Sequence, residues 1–118
     1  MNATIVGRHL ILELNGVEPS VLRNEYAIEE VLISAAKKAG ATVLASKFHH
    51  FGGDYGVTGV IVLSESHISI HTWPEFNYAA IDVFMCGTCN PNDSLPTILE
   101  YFEPESWNSN IYDRGPIT

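Results

Sequence analysis

The chain has 118 residues, a length that fits one small domain (1–118) and leaves no room for a second. Apolar residues make up 46 % and charged residues 17 %, which excludes wholesale disorder. A net charge of -8, with six scattered Lys and Arg, excludes the clustered cations that nucleic acid demands. Along the chain, 4–14 (TIVGRHLILEL) is aliphatic and β-branched and predicts a strand that Asn15 and Gly16 end. From Pro19 the apolar positions Val21, Leu22, Tyr26, Val31, Leu32, Ala35 and Ala39 follow helical spacing, with Pro19 suited to a first turn and Gly40 to a cap. The spacing predicts one helix over roughly 19–39. Residues 41–50 read as a second strand, and a glycine-rich loop comes next.

Three more extended stretches come in close succession, GVTGVIVLSES, HISIHTW and AAIDVFMCG, with Pro74 and Asn77 marking the turn between the last two. A short helix is expected over 93–102, its start delayed by Pro96. The final 15 residues or so are polar and read as an edge strand or a tail. Condensed to β-α-β-β-β-α, this order implies an α+β protein, an antiparallel sheet with helices on one face. The uncovered face invites a second copy, and hence a dimeric α/β sandwich. No apolar run is long enough to span a membrane. The opening MNATIVGRHL lacks a signal pattern, and Cys86 and Cys89 lie too close together to staple a fold, so a reducing cytoplasm is expected.

Three features could carry chemistry: the step Glu65-Ser66-His67, the run His67 to Glu75, and Cys86-Gly-Thr-Cys89. On a strand His67, Ser69 and His71 share one face while Ile68 and Ile70 point into the core. Such a polar stripe suits a site and suits a solvated face equally well. His67, His71, Cys86 and Cys89 also supply four ligands of the kind structural zinc takes, though neither pair is diagnostic alone. Phe48, Phe51, Tyr55, Trp73, Phe76 and Tyr78 flank this region, where aromatics serve a core or a ligand platform. Glu75 follows Trp73-Pro74 at a turn, either solvated or accepting hydrogen bonds from a diol.

The run LSESHISIHTWPEFNYAAIDVFMCG (63 onwards), with GRHL at 7–10 and KFHHF-GGDYGVTG at 47–59, resembles the prokaryotic S-adenosylmethionine decarboxylases. The resemblance covers most of residues 5–88 and is faint beyond. It implies a proenzyme that cuts itself between Glu65 and Ser66, turning Ser66 into a pyruvoyl group with no metal. Glu65 would end an N-terminal chain, 1–65, and Ser66 would open a pyruvoyl-bearing chain, 66–118. His71 would move protons in this maturation, and Thr58 stands where the family often has an assisting serine. Cys86 would be the proton donor in decarboxylation. Phe51 and Trp73 would contact adenine, Glu75 the ribose hydroxyls, and Glu13 would reach the site from the first strand. The loop between Phe51 and Tyr55 is about one residue longer than the common pattern.

The resemblance further implies a carboxy-lyase acting on S-adenosylmethionine as a homodimer and supplying the aminopropyl donor for polyamine (spermidine) synthesis. The pyruvoyl carbonyl would condense with the substrate amine as a Schiff base and hold the electrons released with carbon dioxide. A thiol suits the later protonation because its pKa can be tuned towards neutrality. On a regular strand Ser66 and His71 face opposite ways, so maturation calls for a kink near Ser66. Two other readings stand beside it: a pyruvoyl-dependent arginine or ornithine decarboxylase, and a non-catalytic zinc module on His67, His71, Cys86 and Cys89.

Overall fold

A computed structural model describes residues 4–117 of the chain. Its strands are β1 (Gly7–Asn15), β2 (Val43–His50), β3 (Val57–Leu63), β4 (Ser66–Trp73), β5 (Tyr78–Cys86) and β6 (Ser106–Arg114). They form one sheet in the order β2-β3-β4-β5-β1-β6, with every neighbouring pair antiparallel. The expected α+β class holds, and the condensed order needs correction. Four strands, not three, separate the central helix from the last one, and the polar C-terminal stretch is β6, an edge strand laid along β1.

Alternation along the strands separates two faces. Leu10, Leu12 and Leu14 of β1, Ile68 and Ile70 of β4, and Ala79, Ile81, Val83 and Met85 of β5 are buried. They pack beneath α2 (Glu25–Lys38) and α3 (Leu95–Phe102), whose Ile28, Leu32, Ile98 and Phe102 complete the core. The odd-numbered residues of β1 and β4 and the even-numbered ones of β5 lie on the other face, which no element of the described residues covers.

The single helix expected over 19–39 is two: α1 (Pro19–Leu22) and α2. Asn24 is the reason. Its side-chain oxygen accepts the Ala27 N–H at 3.1 Å, and this cap competes with continuous helix. Glu25 in the first turn of α2 and Lys37 and Lys38 in its last complement the helix dipole. A third correction falls at 64–65, expected to be extended: β3 ends at Leu63 and a two-residue turn, Ser64-Glu65, leads straight into β4.

Candidate active site

That turn sets the geometry of everything after it. Leu63 pairs with Ser66, so Ser64 and Glu65 alone reverse the chain, and Glu65 takes a left-handed backbone with φ 58°. Tight hairpins favour glycine or asparagine in such a conformation, and a glutamate there holds a sparsely populated backbone conformation just before Ser66. Ser66 is therefore the first residue of β4 and is partly buried, with its Oγ accepting the Cys86 N–H at 3.1 Å. Beside it the Cys86 Sγ donates weakly to Glu65 Oε2 at 3.7 Å and to the Ser64 carbonyl at 3.9 Å.

Ser66 opens into a cavity of about 300 Å³ lined by His9, Glu65, Ser66, His67, Phe84 and Arg114. His67 stacks on Phe84 with their rings 5.9 Å apart, and His9 meets both edge-on. The Arg114 guanidinium sits 5.9 Å from the Phe84 ring centre, within cation–π range. Gly7 makes this layer possible: a Cβ there would lie 2.8 Å from the Phe84 ring.

His71, Thr58, Trp73, Glu75 and Phe51 meet elsewhere, at the opposite end of β4, around a cavity of about 190 Å³. His71 lies directly across from Thr58, and its Nδ1 and the Thr58 Oγ1 share a hydrogen bond of 3.1 Å. Trp73 stacks on Tyr78 at 5.5 Å and tilts against His71 at 6.1 Å. The Tyr78 hydroxyl in turn donates to Glu13, bringing that carboxylate in from β1. Phe51 lies edge-on to His49 at 4.6 Å. Five residues of extended strand separate His71 from Ser66, about 17 Å.

The expected residues thus form two groups; His71, Trp73, Thr58 and Cys86 lie on the open face, while Ser66 shares its strand parity with the buried Ile68 and Ile70 and lines its cavity from the first position of β4. Ser66, Glu65 and Cys86 stand at one end, and Thr58, His71, Trp73, Glu75 and Phe51 at the other. The zinc quartet does not converge: His71 belongs to one end and Cys86 to the other, and the described residues contain no group of three or more His, Cys, Asp or Glu that could hold a metal ion. Sequence reasoning missed His9, Phe84 and Arg114. The GRHL motif gives its histidine no role of its own, and Arg114 belongs to the stretch that reads as edge or tail, where no spacing ties it to Ser66.

A small α+β protein with ionisable and aromatic side chains gathered on an open sheet face is the class so defined. A family profile described as S-adenosylmethionine decarboxylase matches residues 8–115. A protein named S-adenosylmethionine decarboxylase proenzyme from Methanococcus maripaludis is 50 % identical over 113 residues, covering 95 % of this chain and 92 % of that one. Another of the same name, from Acetivibrio thermocellus, is 43 % identical, covering 98 % and 91 %. The crystal structure of the adenosylmethionine decarboxylase from Aquifex aeolicus superposes with a TM-score of 0.87 at 32 % identity, covering 98 % of this chain and 96 % of that one. The chain belongs to the S-adenosylmethionine decarboxylase family.

Proposed function

We propose that this chain cuts itself between Glu65 and Ser66 and that the matured protein decarboxylates S-adenosylmethionine, whose product serves as the aminopropyl donor for polyamines. The observation that carries the reading is the left-handed Glu65 immediately before a serine whose side chain lines a cavity beside a thiol. The Ser66 Oγ attacks the Glu65 carbonyl carbon, the C–N bond breaks, and an ester replaces the amide. Loss of the Ser66 Cα proton expels Glu65 as a carboxylate and leaves dehydroalanine. Water then enters as ammonia departs, which leaves a pyruvoyl group at position 66. The turn favours the overall cut, because the Glu65 backbone is free to relax once its carboxylate departs.

The residues present fit such a group, since Ser66 carries the hydroxyl and faces a cavity while Cys86 waits next to it. Once formed, the group supplies an electron-withdrawing carbonyl for a substrate amine. Cys86 then delivers a proton to the substrate carbon that has lost its carboxylate. Trp73 and Phe51 offer π-faces to an adenine or sulfonium, and Glu75 accepts from a diol.

A strand length of about 17 Å between them leaves one chain's His71 out of reach of its own Ser66. Two copies packed sheet to sheet about a two-fold axis bring one end of β4 over the other end of its partner's. Each site then takes Ser66 and Cys86 from one protomer and Thr58, His71, Trp73, Glu75 and Phe51 from the other. That arrangement still requires Ser66 to reach the open face, and it lines the cavity there from the first position of β4, beside the Ser64-Glu65 turn. Val60 and Val62, 37 % and 44 % exposed on the uncovered face of β3, supply apolar surface for the contact.

A denaturing gel with intact mass and a carbon dioxide release assay test the reading. Purified protein should separate into residues 1–65 and 66–118, the second with a blocked N-terminus, and should release carbon dioxide from S-adenosylmethionine rather than arginine or ornithine. Ser66→Ala and His71→Ala should stay uncut. Cys86→Ala should cut yet lose about 10²- to 10⁴-fold in turnover, the range a placed general acid supplies, while Cys89→Ala stays close to wild type. A Ser66→Ala chain that still splits at this bond overturns it.

A further inference from the structure

The cut proposed above creates a group that the uncut chain lacks: a main-chain carboxylate on Glu65, a residue that already carries one. In the uncut chain the Glu65 side chain rests against the Cys86 thiol, 3.7 Å away. Left there after cleavage, a dianionic chain end would crowd the group that must reach substrate. Little of the chain end can move, because Leu63 stays paired with Val43 and the Ser64 N–H donates to the Thr42 carbonyl at 3.0 Å. Glu65 alone spans at most about 4 Å of main chain, so the new terminus needs a partner close by.

Arg114 is that partner. It lines the same cavity as Glu65 and is the sole permanent cation among the described residues lining it. No carboxylate of the described residues lies within salt-bridge distance of it. Its guanidinium is held over the Phe84 ring, a contact that fixes the plane while leaving the fork of N–H donors open. Strand register supports the placement, for Cys86, Gly7 and Arg114 lie directly across from one another on β5, β1 and β6. Gly7 presents no side chain between them.

The rival role for Arg114, pairing with the substrate's carboxylate, runs against the chemistry. A cation on the departing carboxylate stabilises the ground state, where the charge is, more than the transition state, where it is leaving. We infer that Arg114 is an anchor for the newly made Glu65 terminus, drawing it off Cys86 and into the cavity floored by Phe84. The inference rests on cleavage at the 65–66 bond, and Arg114 acts as a positioning residue, through the chain end.

Limited digestion of the processed protein with a serine carboxypeptidase tests it, with the mass of the N-terminal chain as the readout. In the wild type Glu65 should resist removal. In Arg114→Ala it should be trimmed about ten-fold faster or more, the loss expected for one charge-assisted pair. Arg114→Lys, which keeps the charge without the fork, should fall between, and its cleavage into two chains certifies that the fold tolerates change at 114. Equal trimming rates in wild type and Arg114→Ala overturn the anchor. So does a sharp rise in the KM for substrate with trimming unchanged, which assigns Arg114 to the substrate's carboxylate instead. A chain that never cuts gives one band on the gel, a distinct failure that strikes the cleavage reading itself.

Discussion

Tyr78 keeps its proton far beyond the usual phenol range, pushed up to about 12. Partial burial contributes most, followed by the hydrogen bond to Glu13 and the negative charges of Glu13 and Asp82. Between pH 10 and 12 the folded chain therefore holds a proton that the unfolded chain has released. The associated stability is complete below about pH 10 and is lost as pH rises through the folded value. In an alkaline titration of phenolate absorbance, the difference between wild type and Tyr78→Phe should develop near pH 12. Glu13→Gln should bring it towards 10, and a Tyr78 signal already at 10 in the wild type would contradict this account. The bond matters to the site because Tyr78 backs Trp73, so a neutral, fixed phenol fixes the indole. Sequence exposed both aromatics but not their link to Glu13. That link spans 65 positions and exists only because β1 lies beside β5.

At the scale of elements, one hydroxyl ties three of them together. The buried Thr72 Oγ1 on β4 donates to the Leu22 carbonyl that closes α1, at 2.7 Å, and accepts from the Val57 N–H that opens β3, at 2.8 Å. Gly56 lets the chain approach, since a Cβ there would fall 1.9 Å from the Thr72 carbonyl oxygen. Thr72→Val keeps the shape and orphans both backbone groups, so it should cost about 2–4 kcal/mol. Urea denaturation in a Ser66→Ala background, which keeps the chain in one piece, measures this as a lower midpoint at unchanged slope. A shift below about 0.5 kcal/mol would mean that the two groups find other partners. Strand β4 was legible from its alternation, with Ile68 and Ile70 inward and His67, Ser69 and His71 outward. The break in the helix at Asn24 and the turn at Ser64-Glu65 were not. Both depend on a local choice that overrides pattern: a side-chain cap inside a helical period, and a left-handed glutamate where glycine is the usual signal.

At the scale of the molecule, the separation of Ser66 from His71 has a direct genetic test. Co-expressed Ser66→Ala and His71→Ala chains are each inert alone, yet a mixed pair holds one site with both residues intact. Random pairing should restore cutting in about a quarter of all sites, read as a processed band on a gel. No band at all would return the site to a single chain. The two groups could be named from sequence, but not their separation, because distance along β4 becomes meaningful only once that strand is known to be straight and uncovered. Strand order was equally hidden: nothing in residues 7–15 announces that they will slip between β5 and β6. That insertion has a consequence for the order of events. Counting from the β2 edge, a cut after Glu65 would leave two strands of the first fragment, two of the second, one of the first and one of the second. The fragments are interleaved like fingers of two hands, so severing the covalent link separates nothing. The intact chain must assemble this weave before it is cut, with every strand tethered to the next. Afterwards a denatured molecule has to rebuild it from two loose pieces, at a rate set by their concentration. Maturation would then work as a ratchet: it turns a protein that folds on its own into one that persists because it unfolds slowly.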